Sequence, residues 1–72
     1  MQHKFDQLSE REREVMENII EGKTSKEIAR VLALSPRTVE AHRANIFSKL
    51  AVTSLAQLVK EHETLNFLSK TT

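Results

Sequence analysis

The 72-residue sequence contains no cysteine, tryptophan or tyrosine, and only one glycine and one proline. Without cysteine, neither a disulfide nor a thiolate zinc site can reinforce a small core. The scarcity of glycine, proline and β-branched runs argues against a sheet. No apolar run approaches the ~18 residues of a membrane span, and no signal-peptide pattern follows the opening residues. The sequence therefore predicts one small all-α domain that is cytoplasmic and has no membrane association.

Residues that could carry catalysis are also scarce. The three histidines, His3, His42 and His62, do not have metal-ligand spacing, and no glycine-rich phosphate loop is present. The glutamates of the first predicted helix are spaced as solvated helix charge. We therefore expect no catalytic residue, no metal site and no cofactor, so the chain is not expected to be an enzyme.

Charge is distributed unevenly along the chain, although its formal net value is only +1. Residues 1–21 contain three bases and six acids, whereas residues 22–53 contain six bases and two acids. Residues 54–72 contain two of each. A basic central block of this kind favours a polyanionic partner.

Four helix starts are marked in the sequence. Ser9 and Glu12 have the spacing of a capping box, and the pairs Thr24–Glu27 and Ser54–Gln57 repeat it. Ser35-Pro36 is typical of a fourth start, because proline suits the first helical position. The predicted helices span residues 10–21, 25–33, 36–50 and 55–65, with a linker at 1–7 and a frayed tail at 69–72.

The apolar residues recur at helical spacing, which predicts the side of each helix that enters the core. The first three helices are expected to contribute most of this core, and the fourth only some of its apolar residues. The candidates are Val15, Met16, Ile19, Ile20, Ile28, Ala29, Val31, Leu32, Val39, Ile46 and Leu50, with some of Leu55, Leu58, Val59 and Leu65.

The connection between the second and third helices is very short. Only about two residues, Leu34 and Ser35, separate them. Two short helices joined by so tight a turn form a helix-turn-helix, whose second helix can lie in a DNA major groove. The predicted architecture is a compact four-helix bundle that contains a helix-turn-helix.

The third helix carries small and polar residues on the side away from its core residues. At about 100° per residue, Arg37, Ala41, Ala44 and Ser48 lie within about 40° of the direction opposite Val39. Glu40 and Asn45 flank this strip. Small side chains let a helix approach a groove closely, and arginine, asparagine and glutamate can reach base edges. The alternative is an ordinary polar bundle face on which alanine simply favours helix.

Other residues have the chemistry of phosphate contacts. The start of the second helix offers hydroxyls, amides and a lysine, although a solvated helix end looks similar. Arg43 leans toward the core edge, so its head either meets a phosphate or lies in solvent above a packed stem. His42 also borders the core and fits a packed, hydrogen-bonded histidine better than a base reader. The predicted phosphate contacts are Thr24, Ser25, Lys26, Ser35, Arg43, Ser48 and Lys49.

The stretch LSEREREVMENIIEGKTSKEIARVLALSPRTVEAHRANIFSKLAV resembles the DNA-binding output domain of the LuxR/FixJ family of transcriptional regulators. Within it, SPRTVEAHRANI is especially similar to FixJ-type response regulators. The resemblance covers about residues 8–66 and places the domain at 8–68. It implies a four-helix bundle whose third helix reads double-stranded DNA. The base contacts implied are Glu40, Ala41 and Ala44, with Arg37, Thr38 and Asn45 close by.

The resemblance also implies partners. In the family, the fourth helix commonly pairs two copies on an inverted-repeat operator, and for such a homodimer we expect contacts from Val59, His62 and Glu63. An upstream receiver or ligand-sensing domain, absent from these 72 residues, and a contact with RNA polymerase are implied as well. The expected function is sequence-specific DNA binding by the output domain of a transcriptional regulator, most plainly of a two-component response regulator.

Two other functions fit parts of the sequence. A sigma-factor promoter-reading domain also uses LSERER before a helix-turn-helix. A helical protein-interaction module would instead use Leu55, Leu58, Val59 and Leu65 as a partner-binding stripe. DNA binding must weaken steeply with salt, whereas apolar helix docking need not.

Overall fold

The structure is a computed structural model that describes residues 7–71, with side chains described through residue 64. This part of the chain forms four α-helices: α1 (Glu10–Ile20), α2 (Ser25–Leu32), α3 (Pro36–Leu50) and α4 (Leu55–Thr71). The predicted all-α, four-helix fold is confirmed. Helix α4 continues beyond its predicted end at residue 65 and includes residues 69–71, which were expected to fray. Predictions for residues 1–6, for residue 72 and for the side chain of Leu65 lie outside the described residues.

The first two helices begin with complete capping boxes. The Ser9 hydroxyl accepts from the Glu12 amide at 3.1 Å, and the Ser9 amide donates to Oε1 of Glu12 at 2.9 Å. At α2, the corresponding distances between Thr24 and Glu27 are 3.2 and 2.8 Å. Each pair satisfies two backbone donors that the helix leaves without an internal partner, as the sequence spacing predicted.

The other two helices begin differently. Ser35 caps α3 by accepting from the Thr38 amide at 3.1 Å, with Pro36 at the first helical position. Ser54 accepts from the Gln57 amide at 3.2 Å, as expected. The Gln57 carbonyl oxygen, however, accepts from the amide of Thr53 at 2.7 Å, so the predicted return bond to Ser54 is replaced by one to its neighbour.

A residue with positive φ follows each of the first three helices. Gly22 (φ 93°) follows α1, where the amides of Gly22 and Lys23 donate to the carbonyls of Ile19 and Asn18. Ala33 (φ 58°) and Ala51 (φ 56°) occupy this conformation after α2 and α3. Residues 33–35 therefore form the tight turn of the helix-turn-helix, one residue longer than the sequence indicated.

The core lies between the four helices, with α3 packed against α1 and α2, and α4 against α1. Of the predicted residues, Ile20, Leu32 and Val59 are only partly buried. Val31 is 58% exposed, so its predicted place in the core was wrong, and Leu55 is 40% exposed. The buried apolar side chains are Leu8, Val15, Met16, Ile19, Ile28, Ala29, Val39, Ile46, Leu50, Val52 and Leu58.

One charged side chain is buried with this core. Glu12 is only 5% exposed, which corrects the expectation that the glutamates of α1 are all solvated. Its carboxylate serves the α1 capping box and also meets a lysine from α3, as described below.

Among the helices of the described chain, none combines the length and apolar character that a membrane crossing would need.

Candidate nucleic-acid interface

Helix α3 has one fully buried side and one exposed side. Val39, Ile46 and Leu50 each have 0% exposure, which fixes the rotation of the helix. The opposite surface faces solvent, as the helical wheel predicted. All six predicted base-reading residues are exposed on it: Arg37, Thr38, Glu40, Ala41, Ala44 and Asn45.

The middle of this exposed surface is made of short side chains. Ala41, Ala44 and Ser48 recur every three or four residues, so they form a low stripe along one side of the helix. A stripe of this kind lets the helix backbone come close to the floor of a major groove about 12 Å wide. Arg37 and Asn45 supply longer hydrogen-bonding groups beside it.

Glu40 is connected to the neighbouring helix. The Ser25 hydroxyl, at the start of α2, donates a hydrogen bond to Oε2 of Glu40. Ser25 is half-buried and Glu40 is exposed. The predicted phosphate contact Ser25 and the predicted base contact Glu40 therefore form one hydrogen-bonded pair, in which the serine hydroxyl is directed to the carboxylate.

The α3 start holds two further predicted residues. The hydroxyls of Ser35 and Thr38 lie 2.9 Å apart, and the Ser35 oxygen also accepts from the Thr38 amide. One hydroxyl proton is used between the two oxygens, which leaves one proton of the pair to donate outward. Both residues are exposed at the turn of the helix-turn-helix.

The N-terminus of α2 offers fewer free groups than the sequence indicated. The amide of Thr24 donates to Glu27, and its hydroxyl accepts from the Glu27 amide, although that hydroxyl can still donate its own proton. Hydrogen bonding of the Glu27 carboxylate to the Thr24 amide, followed by that to the Thr24 side chain, holds the pKa of Glu27 below its ordinary value of 4.5. Lys26, exposed in the first turn, supplies a cationic side chain at this end.

Lys49 forms an ion pair, although its side chain is 39% exposed. Its Nζ lies 2.8 Å from Oε1 of Glu12, the oxygen that also accepts from the Ser9 amide. The hydrogen bond from Lys49, followed by that from the Ser9 amide, lowers the pKa of Glu12 from its ordinary value of 4.5. The structure thus gives Lys49 a packing role between α3 and α1 that the predicted phosphate contact did not include.

Arg43 packs against its own helix at the edge of the core, and the phosphate contact predicted for it remains a prediction. It is half-buried, and its guanidinium carbon lies 5.3 Å from the centroid of the Phe47 ring, one turn along the helix. This cation–π distance fixes the guanidinium at the edge of the core. His42, on the other core edge, is half-buried as expected.

The residues predicted to pair two copies lie together on α4. Val59 and His62 are half-buried, and Glu63 is exposed.

Among the described residues, no group of three or more histidine, aspartate or glutamate side chains could hold a metal ion.

Sequence spacing could not reveal two of these pairs. Ser25 and Glu40 are 15 positions apart, and Glu12 and Lys49 are 37 apart. No local pattern marks either pair, since each depends on how two helices pack. The burial of Glu12, which only the packed structure reveals, accounts for its partner, because a buried carboxylate requires a cation or hydrogen-bond donors nearby.

Comparison with known families gives a match over most of the chain. Residues 6–61 match the family of bacterial regulatory proteins described as the luxR family. The chain is 51% identical over 53 residues to the transcriptional regulatory protein FixJ of Bradyrhizobium diazoefficiens, covering 74% of this chain and 26% of FixJ. It is 53% identical over 55 residues to the uncharacterised response regulatory protein YgeK of Escherichia coli, covering 76% of this chain and 37% of YgeK.

Two solved structures, StyR and full-length FixJ, are also similar to this chain. The response regulator StyR matches 85% of this chain with a TM-score of 0.84 and 43% sequence identity. Full-length FixJ from B. japonicum matches 81% of it with a TM-score of 0.76 and 46% identity. The matched region is 31% of the StyR chain and 29% of the FixJ chain, so this chain spans about a third of those structures or less.

Proposed function

The chain belongs to the luxR family of bacterial regulatory proteins, and we propose that it binds double-stranded DNA sequence-specifically, with helix α3 in the major groove. Its relatives include proteins named transcriptional regulatory protein, such as FixJ and the UhpA of Escherichia coli. The observation that carries the proposal is the two-sided character of α3, in which three residues with 0% exposure oppose an exposed strip.

The exposed strip divides into two kinds of contact. Ala41 and Ala44 allow close approach, and the Ala41 methyl group suits contact with a thymine methyl. Arg37, Glu40 and Asn45 carry the donors and acceptors that distinguish base edges, while Thr38 lies beside them. In this reading α3 determines which sequence is bound.

The surrounding residues hold the domain on the sugar-phosphate backbone. Lys26 and the Thr24 hydroxyl lie at the N-terminus of α2, where the helix dipole favours an anion. The Ser35–Thr38 pair has a proton to donate at the start of α3. Ser48 lies on the exposed strip, and Arg43 lies at the core edge of α3. These contacts fix the register of α3 without reading sequence themselves.

Dimerisation on an inverted repeat is part of the proposal. Val59, His62 and Glu63 would contact a second copy across a twofold axis, and the two half-sites would then lie about one helical turn apart, ~34–36 Å. Contact with RNA polymerase would follow from action at promoters. We propose that the protein acts in the cytoplasm as a DNA-binding module without catalytic activity.

The competing function is a helical protein-interaction module. Of the stripe predicted for it, Leu58 is buried in the core and Val59 is half-buried, so within the described side chains only Leu55 is exposed. The deciding experiment selects binders from a random-duplex DNA pool with the purified chain at low salt. Enrichment of an inverted repeat, with affinity that falls steeply as salt rises, supports the proposal. Enrichment of single half-sites supports base reading but shows that this chain does not dimerise on DNA by itself. A folded protein that enriches no sequence and binds without salt dependence overturns DNA reading.

A further inference from the structure

The hydrogen bond between Ser25 and Glu40 has no role in forming either helix. The N-terminus of α2 is already capped by Thr24, whose hydroxyl and amide are both paired with Glu27. The hydroxyl of Ser25, the first residue of α2, is therefore not needed by its own helix. It donates instead to Oε2 of Glu40 on α3.

A carboxylate on a DNA-facing surface needs to be held in place. Glu40 is exposed. Its negative side chain cannot bind a phosphate, because the DNA phosphate backbone is also negative and repels it. An unrestrained glutamate would sample several rotamers, most of which direct no oxygen toward a base. The half-buried Ser25 restrains one carboxylate oxygen from the neighbouring helix and leaves Oε1 as an acceptor.

We propose that Ser25 is a positioning residue that sets base preference by fixing the Glu40 carboxylate to accept a hydrogen bond from the exocyclic amino group of cytosine. Cytosine presents this donor in the major groove, and a carboxylate is the side-chain group that accepts from it. The inference rests on the proposed function, since it assumes that α3 lies in that groove. It reassigns Ser25 from the phosphate contacts to the specificity of the site.

The test compares an isosteric pair of variants at position 25. Ser25→Thr keeps the hydroxyl. Ser25→Val introduces a side chain that has nearly the same shape as threonine but lacks the hydroxyl. Each is measured, with wild type and Glu40→Gln, against a panel of duplexes that differ from the selected site by one base pair. Thr64→Ala, which removes an exposed hydroxyl from α4, is the matched control. Helical circular dichroism verifies that every variant is folded.

The expected result is a loss of preference at one base-pair position only. Glu40→Gln should reduce the discrimination for cytosine at that position by about tenfold, and Ser25→Val should reduce it at the same position by a similar or smaller factor. Ser25→Thr and Thr64→Ala should retain it. The double variant Ser25→Val/Glu40→Gln should behave like Glu40→Gln alone, because the two residues act as a unit.

Three results would overturn the inference in distinguishable ways. If Ser25→Val weakens binding to every duplex equally, Ser25 contacts a phosphate, as the sequence alone indicated. If Ser25→Val and Ser25→Thr both keep the wild-type preference, the hydroxyl does not set it. If the wild-type chain shows no sequence preference at all, the proposed function fails together with the inference.

Discussion

The Nζ of Lys49 lies 2.8 Å from Oε1 of Glu12, which connects the last turn of α3 to the first turn of α1. The same oxygen accepts the Ser9 amide at 2.9 Å. One carboxylate therefore closes a helix cap and orients a second helix. Because α3 also carries the proposed reading surface, this ion pair contributes to the rotation at which that surface is presented.

Replacing Glu12 by glutamine should destabilise the domain. Glu12→Gln retains an acceptor for the Ser9 amide but removes the charge that Lys49 meets. We expect the free energy of unfolding in urea to fall by about 1 kcal/mol, because Lys49 is partly exposed and can be solvated again. Glu10→Gln removes an exposed charge from the same turn and should change stability little. Equal effects of the two substitutions would show that the pair contributes nothing specific.

The same pair predicts a dependence of stability on pH. Hydrogen bonds from Lys49 and the Ser9 amide lower the pKa of Glu12 in the folded state, so its unfolded pKa is the higher one. Its contribution is therefore present above the ordinary value of 4.5 and is lost as pH falls through the lowered pKa. Urea unfolding from pH 7 to pH 3 should show the difference between wild type and Glu12→Gln narrowing below about pH 4.5. A constant difference across this range would contradict the assignment.

Local sequence spacing predicted the parts of the fold that are decided within one helix turn. Ser9, Thr24 and Ser35 cap their helices as expected, because a cap depends on residues three positions apart. The core position predicted for Val31 was wrong. Helix α2 has only 8 residues, so few positions indicate which of its sides is buried. Ile28 and Ala29 define its core direction, and Val31 lies about 110° from it.

The pairs that join helices could not be predicted in this way. Ser25 meets Glu40, and Glu12 meets Lys49, only after α1, α2 and α3 have packed. The candidate site shows the same division. The exposed strip of α3 follows from periodicity, whereas the partners that fix Glu40 and occupy Lys49 depend on the tertiary arrangement.

Glycine should stabilise the two helix ends that now carry alanine. Ala33 and Ala51 have φ values of 58° and 56°, a region in which an L side chain is strained. Ala51→Gly and Ala33→Gly should each raise the unfolding free energy by about 0.5 kcal/mol, since relief of strain exceeds the added entropy of the unfolded chain. Ala44→Gly, in the regular part of α3, should lower it by about 1 kcal/mol. If all three substitutions lower the unfolding free energy, Ala33 and Ala51 do not have the left-handed conformation.

A negative charge in the middle of the exposed strip should abolish specific binding without unfolding the domain. Ala41 is exposed, so Ala41→Asp should leave the helical circular dichroism and melting temperature nearly unchanged. Its carboxylate would approach the DNA backbone and reduce affinity for the selected duplex by at least about tenfold. Ala41→Asn separates size from charge, and Thr64→Asp places the same charge on α4.

The buried side of α3 provides the converse substitution. Val39 has 0% exposure, so Val39→Asp places an unpaired charge in the core and should unfold the chain. Unchanged affinity of a folded Ala41→Asp variant would remove α3 from the DNA interface. A folded Val39→Asp variant would show that α3 is rotated differently from the structure described here.

The salt dependence of binding should separate Lys26 from Lys49, which the sequence grouped together as phosphate contacts. Lys26 is exposed at the N-terminus of α2, whereas the ammonium of Lys49 is paired with Glu12. Each lysine that neutralises a phosphate contributes about 0.9 to the slope of log K against log salt concentration. Lys26→Gln should reduce the slope by about that amount, and Lys49→Gln should leave it nearly unchanged while lowering stability. Affinities are measured at salt concentrations from about 50 to about 200 mM, at a temperature at which both variants remain folded. An equal loss of slope in Lys49→Gln would mean that Lys49 leaves Glu12 to contact a phosphate when DNA binds.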